Sequence, residues 1–361
     1  MKGPESGLSA ALLLYLRPGP KGDGGEFVFL TRMPDTPKSN PSRSGSAVRQ
    51  ARPFLKWAGG KGQLLKALSA YFPKALSDGS VTDYYEPFLG GGAMFFHMLQ
   101  AYPIRKAFLM DANEEIVLLY KVVQNDVEPL LSGLEQMERE YRKLSPVKRQ
   151  DRYLKVRAAL NCARPDMNYK KYAKEAWVER AAQLLFLNKT CYNGLFRVNR
   201  NGGFNTPFGR YANPTIADGD NLRAASALLA KAQIRLGDFG ELGTLDARPR
   251  GLLKPGSFIY YDPPYRPLSR TSSFTAYSRF AFGDSEQERL AGLFRALDRK
   301  GIYQMLSNSD PRNADPADDF FERTYADYQK TFWRVSAARA INSVAKGRGR
   351  INEIVITNYR P

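Results

Sequence analysis

The sequence predicts an α/β fold: a Rossmann-like, mostly parallel sheet interrupted by a long helical insertion. Three observations carry this. The apolar run Ser257-Phe258-Ile259-Tyr260-Tyr261 reads as a buried strand and stops at Asp262-Pro263-Pro264-Tyr265, because neither proline has an N–H to continue a ladder or a helix. The run Asp83-Tyr84-Tyr85-Glu86 leads through Pro87-Phe88-Leu89 into Gly90-Gly91-Gly92, then a helical stretch, then a second strand ending at Asp111; strand, glycine turn, helix and strand is the unit of a doubly wound sheet. From Asn113 to about Lys231 this pattern lapses into a helix-rich, basic stretch, and strands resume at Gln233.

Composition bounds the partners. The 361 residues leave room for one large domain plus an insertion, and 43% hydrophobic residues suffice for a core. A formal net charge of +18 points first to nucleic acid and second to an anionic membrane surface. No apolar run approaches the ~20 residues that span a bilayer. Cys162 and Cys191 make no disulfide framework and fit a reducing cytosol. The single histidine, His97, sits beside Phe95, Phe96 and Met98 and reads as a hydrogen-bonded helix residue. So few nitrogen and sulfur donors argue against a zinc site and against a Ser-His-Asp triad.

In chain order, residues 1–52 read as an appendage. Apolar runs at Ala10–Leu16 and Glu26–Leu30 can pair as a hairpin, and Met33–Arg52 is a basic, Pro/Ser-rich linker. The run Leu12–Leu16 is too short for a signal peptide, and no small-residue cleavage site follows before Arg17-Pro18. Next comes Phe54-Leu55-Lys56-Trp57-Ala58-Gly59-Gly60-Lys61-Gly62. A phosphate loop needs an earlier Gly and a Ser/Thr after the lysine; both are missing, so ATP binding is rejected. A glycine turn flanked by Trp57 and Lys61 can instead cover a ligand with a ring and a cation. Leu64, Leu65, Leu68 and Tyr71 then have helical spacing.

The turn Glu86 to Gly92 lets backbone approach a nucleotide-like ligand. It lacks the Gly-x-Gly-x-x-Gly spacing, so NAD is not supported. Asp111, about 20 residues past the glycines, is placed to hold ribose hydroxyls; it can equally cap a helix ahead of Glu114. In the insertion, Asn188 to Tyr211 mixes turn glycines, basic residues, aromatics and amides. Arginine suits guanine and asparagine suits adenine in the major groove, while a solvated hairpin anchored by its aromatics has the same composition. After Gln233–Leu236 comes Gly237-Asp238-Phe239. Tyr303–Leu306, Thr331–Arg334 and Glu353–Asn358 read as the remaining strands. Between the last two lies a loop, Ala337 to Arg350, rich in Arg and Lys.

At the Asp262 corner, a carboxylate and the Pro263 carbonyl are two acceptors side by side, which suits an exocyclic NH2 group, and Tyr265 can stack on the base that carries it. In an open α/β sheet that edge is where ligands bind.

These segments together resemble the Dam-type, alpha-group adenine-N6 DNA methyltransferases. The resemblance runs from Pro53 to Tyr359 and is carried by Phe54–Lys61, Tyr85–Gly92, Asp111–Asn113, Asn188–Tyr211, Asp262–Tyr265 with Pro267-Leu268-Ser269, and Phe274–Tyr277. It implies a Rossmann-like S-adenosylmethionine-dependent methyltransferase sheet with an inserted helical DNA-recognition domain carrying a β-hairpin. It implies S-adenosylmethionine as methyl donor and adenine in double-stranded DNA as acceptor. By resemblance, Trp57 and Lys61 contact the cofactor, as do Glu86, Pro87, Phe88, Gly90 and Gly92 around its methionine end. Asp111 holds its ribose, and Asp238 and Phe239 lie near its adenine. Asp262, Pro263, Pro264 and Tyr265 form the catalytic corner around a flipped base. Tyr192, Asn193, Gly194, Leu195, Arg197, Pro207 and Arg210 meet DNA, with Lys56 beside them. The hairpin resembles that of members reading GATC.

The expected organisation is an extension over 1–52, a catalytic domain over 53–120 and 231–361, and a target-recognition domain over 121–230. A metal-free monomer on DNA is expected, off the membrane, in a bacterial or phage-type cytoplasm. A restriction-modification, prophage or chromosomal-marking context stays open. Two other classes remain: a methyltransferase of protein glutamine amides, which shares a Pro-Pro-Tyr corner, and a DNA-binding relative without catalysis.

Overall fold

The computed structural model describes residues 50–57, 61–199, 201–245, 253–266, 282–338 and 350–361. The N-terminal hairpin, the Ala58–Gly60 turn, Pro267–Tyr277 and the basic loop at Arg339, Lys346 and Arg348 lie outside them. The described residues belong to one compact unit, Ala47–Pro361.

Short helices α1 (Leu65–Leu68) and α2 (Lys74–Ser77) lead into strand β1 (Asp83–Glu86). The helical spacing read at Leu64–Tyr71 folds as a single α turn flanked by 3-10 turns at Lys61–Gln63 and Ser69–Tyr71. Helix α3 (Ala93–Ala101), β2 (Lys106–Asp111), α4 (Glu114–Asn125), α5 (Val127–Arg142), α6 (Pro146–Cys162), α7 (Lys174–Thr190) and α8 (Gly219–Leu229) follow. Then come β3 (Ala232–Leu236), α9 (Leu242–Leu245), β4 (Phe258–Tyr261), α10 (Asp284–Asp298), β5 (Tyr303–Ser309), α11 (Phe320–Thr324), β6 (Phe332–Ala338) and β7 (Arg350–Thr357).

The strands form one sheet of order β3-β2-β1-β4-β5-β7-β6. All pairings are parallel except those of β7, which runs antiparallel to β5 and β6. This is the Rossmann-like methyltransferase sheet expected from the sequence. Its inner strands β1, β2 and β4 are buried on both faces, as a sheet covered on both sides requires. The side-chain period of two then divides neighbours between two cores. Tyr84, Leu109, Phe258 and Tyr260 enter one; Tyr85, Phe108, Met110, Ile259 and Tyr261 enter the other.

Strand order reverses between β1 and β4, which pair in register Tyr84↔Phe258 and Tyr85↔Ile259. The C-terminal ends of these two strands flank the crevice where such sheets bind ligands. The glycine turn leaves one and Asp262 leaves the other.

The insertion is α5 to α8 with a hairpin after α7. The α6 start is specified locally: Pro146 occupies its first turn, and the Lys148 N–H donates to the Ser145 hydroxyl. In the hairpin, Tyr192 N–H donates to the Pro207 carbonyl and Asn205 N–H to the Arg197 carbonyl. Pairing is carried by the isolated bridges Cys191↔Phe208 and Val198↔Phe204 rather than by continuous strands. His97 differs from expectation: its Nε2 is buried without a hydrogen-bond partner, and the ring packs against Phe72 and Tyr102. Among the described residues no helix is long and apolar enough to cross a membrane.

Candidate active site and DNA interface

The end of β4 delivers Asp262 to a cation 201 residues away in sequence: Lys61 Nζ lies 2.5 Å from its Oδ1. Lys61 is 3% exposed, and it also donates to the Tyr265 hydroxyl at 2.9 Å. That hydroxyl donates in turn to Glu353 on β7, with Oε1 at 2.8 Å and Oε2 at 3.1 Å. Burial works against the Lys61 ammonium, yet Asp262, Tyr265, Tyr260 and Glu353 together hold its pKa well above the ordinary value. Burial raises the Asp262 carboxyl above its usual range, and the lysine charge opposes the rise. Lys61 therefore stays charged among these carboxylates. The carbonyl of Pro264 is not free: it accepts from Gln287 Nε2 at 3.2 Å. This ties the proline corner to α10. Pro263 is buried, Pro264 exposed, and the Tyr265 residue is 37% exposed.

The glycine turn is a backbone cradle. Gly90 has φ +47°, and a Cβ there would lie 2.9 Å from the Trp57 indole; Gly92 has φ +68°, and its Cβ would lie 2.4 Å from the Tyr120 hydroxyl. Only glycine meets both demands at either position. Glu86 is turned inward, where it accepts from Tyr84 Oη at 2.7 Å, and burial pushes its carboxyl well above the ordinary range. Pro87 is buried. Phe88 packs on Phe239 with centroids 5.4 Å apart, and both pack on Phe282 at 5.5 and 5.7 Å. These rings lie past the ends of β1 and β3 and at the entry to α10.

Asp111 is not the helix cap. Asn113 caps α4, accepting from the Glu115 N–H. The Asp111 carboxylate accepts from Gly90 N–H at 2.9 Å and Asn113 N–H at 2.8 Å, so it joins the glycine turn to the start of α4. Burial pushes its carboxyl up to about 6 against those two donors and the Ala112 N–H. Asp238 is more committed than the sequence suggested. Arg289 grips it with both guanidinium nitrogens at 2.6 and 2.8 Å and lies over the Phe239 ring at 3.9 Å.

The donor set fits S-adenosylmethionine: a cradle closed to any side chain, a carboxylate with spare lone pairs for hydroxyls, and an aromatic cluster for a purine. Among the described residues no group of three or more His, Cys, Asp or Glu is arranged to hold a metal.

The hairpin adjoins this site. Trp57 stacks on Phe196 at 5.2 Å. Buried Asn188 accepts from the Lys56 N–H and donates to the Lys56 and Gly194 carbonyls, all at 2.9–3.0 Å. The Lys56 side chain is exposed, with its ammonium 5.4 Å from the Tyr211 ring centroid. At Gly194, φ is +64° and a Cβ would strike the Lys56 stem. Tyr192 is 54% exposed; Asn193, Arg197, Pro207 and Arg210 are exposed and Leu195 half-buried. Among the described residues, Asn193 and Arg210 are the non-glycine residues with positive φ, 55° and 57°. Arg197 Nε donates to Asn205 Oδ1 at 2.9 Å within the hairpin.

The structure thus groups Trp57, Lys61, the glycine turn, Asp111 and Asp262–Tyr265 at one sheet edge. Lys56 and the hairpin residues lie beside it; Asp238 and Phe239 stand past β3. Glu353, Asn188, Gln287 and Arg289 were missed. A lone acid opening the apolar run Ile354-Val355-Ile356 was the one available signal, for Glu353.

Comparison with known proteins places the chain in a family. The family model for D12 class N6 adenine-specific DNA methyltransferases matches residues 57–341. The Type II methyltransferase M.MjaIII of Methanocaldococcus jannaschii is 44% identical over 86% of this chain and 100% of its own length. The Type II methyltransferase M1.LlaDCHI of Lactococcus lactis subsp. cremoris is 36% identical over 85% of this chain and 95% of its length. A DNA adenine methylase of Vibrio cholerae is 28% identical over 85% of this chain and 96% of its length.

Proposed function

The chain belongs to the D12 class of N6 adenine-specific DNA methyltransferases, and we propose that it transfers a methyl group from S-adenosylmethionine to a flipped adenine within GATC. The observation that carries this reading is the Asp262 corner facing the glycine cradle across the reversal of strand order.

A base amine inside a duplex is out of reach, so the target is extruded. Exposed Tyr192 or half-buried Leu195 fills the space it leaves. The bound cofactor supplies an electrophilic methyl on a sulfonium. The remaining work belongs to this chain. Lys61 occupies Asp262 Oδ1, and the carboxylate keeps further lone pairs. Asp262 and the Pro263 carbonyl accept the two amine N–H bonds, which favours a pyramidal nitrogen and orients its lone pair. Asp262 Oδ receives the proton that the methylated amine loses. Tyr265 stacks on the base. This is positioning plus preorganised electrostatics.

For the ligand, Trp57 and Lys61 flank the methionine end beside Glu86, Pro87, Phe88, Gly90 and Gly92. Asp111 takes the ribose hydroxyls, and Phe239 lies near the adenine. Asp238, held by Arg289, acts at that end through its backbone or by shaping the rim. Residues 121–230 are the target-recognition part and 53–120 with 231–361 the catalytic part, acting as a monomer on DNA. Arg197 pairs with a guanine and Pro207 offers an apolar face to a thymine methyl. Tyr192, Asn193, Arg210 and Lys56 are exposed on the hairpin and beside it and meet DNA with them, with Gly194 and Leu195 setting the turn between. A net charge of +18 supports a polyanionic partner.

Incubation of the purified protein with S-adenosylmethionine and duplex DNA, followed by mass spectrometry of the released nucleosides, tests the reaction. N6-methyladenine is expected; a methylated glutamine amide on added protein, with unmodified DNA, would replace this reading with the other Pro-Pro-Tyr class.

A further inference from the structure

Glu353 touches neither the extruded base nor the cofactor in the proposed reaction. It is an acid 4% exposed on β7, a strand bordered on both sides: Ser309 of β5 and Val335 of β6 are its neighbours in register. A buried carboxylate needs partners. The partner here is the phenol of Tyr265, 88 residues away in sequence. A phenol has one proton to give and lone pairs to receive. Tyr265 gives its proton to Glu353 and receives one from Lys61 at 2.9 Å. Its backbone lies past β4 and two prolines, outside any strand or helix. The ring is therefore held at its tip, by a carboxylate fixed in the sheet and an ammonium fixed by Asp262.

We propose that Glu353 is a positioning residue for methyl transfer: it fixes the Tyr265 ring at the angle at which the extruded adenine stacks beside Asp262. The inference rests on the reading of Asp262–Tyr265 as the corner that holds the base. Its physical content is that the ring is aimed from the sheet side, by an acceptor, and that the acceptor rather than the negative charge matters. A small misplacement of a positioning group costs up to ~100-fold in rate.

The test uses the full chain in single-turnover methylation with Glu353→Ala, Glu353→Gln, Tyr265→Phe and the Glu353→Ala/Tyr265→Phe double variant, each checked for an unchanged thermal melt. Glu353→Ala is expected to lower the rate constant at saturating DNA and cofactor about 10- to 100-fold, with the KM for DNA changed less than threefold. Glu353→Gln keeps an acceptor and is expected to stay within about threefold of the parent. Because Glu353→Ala and Tyr265→Phe remove one shared bond, the double variant should be no slower than the slower single one. A second readout needs no turnover. DNA with 2-aminopurine at the target position should fluoresce more brightly with Glu353→Ala than with the parent, because an unstacked base is less quenched. If Glu353→Ala unfolds, Tyr265→Phe and Glu353→Gln carry the test alone: loss in the first and retention in the second. A fully active Glu353→Ala, losses that multiply in the double variant, or a Glu353→Gln as slow as Glu353→Ala would overturn the proposal. Asp262→Ala separates the two ideas: if it is inactive while Glu353→Ala is normal, only the role of Glu353 falls; if Asp262→Ala is active, the corner itself is misread.

Discussion

The side-chain amide of Asn188 holds the backbone of Lys56 from both sides, 132 residues apart in sequence: the Lys56 N–H donates to Oδ1 at 2.9 Å and Nδ2 donates to the Lys56 carbonyl at 2.9 Å. The same amide reaches the Gly194 carbonyl at 3.0 Å. One buried side chain therefore registers the segment that carries Trp57 and Lys61 against the hairpin.

Asn188→Ala leaves the Lys56 N–H and two carbonyls without that partner inside the protein. It is expected to cost ~1–3 kcal/mol of stability. It is also expected to narrow the ratio of methylation rates between GATC and a singly altered site, with cofactor affinity held. Melting curves and paired kcat/KM measurements check both; an unchanged ratio in a destabilised protein would leave Asn188 a purely structural residue.

Asp111 gives a pH dependence with a definite sign. Its carboxyl is raised from 3.8 to about 6, chiefly by burial. Protonation therefore favours the folded chain below 3.8, and that contribution is lost as pH rises through about 6. The ionised carboxylate is the stronger acceptor for ribose hydroxyls, so S-adenosylmethionine affinity should rise as pH rises through about 6. Asp111→Ala should weaken binding by ~1–3 kcal/mol and flatten this dependence. Titration calorimetry across that range checks it; equal affinity in parent and variant would confine Asp111 to joining Gly90 and Asn113.

Charge makes a separate prediction. With +18 formal charges, log affinity for DNA should fall linearly and steeply with log salt, because phosphate contacts release counterions. Fluorescence anisotropy over a salt series reads the slope. A flat response would mean that the basic residues serve another partner.

Much of this was legible in the sequence because it is local. Four strands stop close to a residue that cannot continue them or that opens a turn: β1 before Pro87, β2 at Asp111, β3 before Gly237 and β4 just before Pro263. The glycine cradle and the Asp262 corner were read from such endings. What escaped depends on pairings between distant segments. Nothing around Glu353 says that Tyr265 will reach it, nor around Asp238 that Arg289 will neutralise it. Asp111 was also readable as a helix cap; Asn113, two positions on, is the better-placed cap and takes that role. His97 was expected to find a partner; the aromatic packing of Phe72 and Tyr102 takes the ring instead, and Nε2 stays unpaired.

Arg197 tests how the site is read. It is parked on Asn205 at 2.9 Å, a weak exposed contact that a guanine edge can replace. Arg197→Ala should cost ~1–3 kcal/mol in kcat/KM for GATC and relax one guanine position. A library of duplexes randomised at each position reads this out; undiminished discrimination would place guanine recognition elsewhere on the hairpin.

The most direct measurement is modified-base sequencing of plasmid DNA from a methylation-deficient host expressing either the parent chain or Asp262→Ala. N6-methyladenine is expected on both strands of GATC with the parent. None above background is expected with Asp262→Ala, since losing the carboxylate should remove at least ~3 kcal/mol of transition-state stabilisation. Adenine methylation in another motif would contradict the proposed recognition sequence, and full methylation by Asp262→Ala would contradict the catalytic corner.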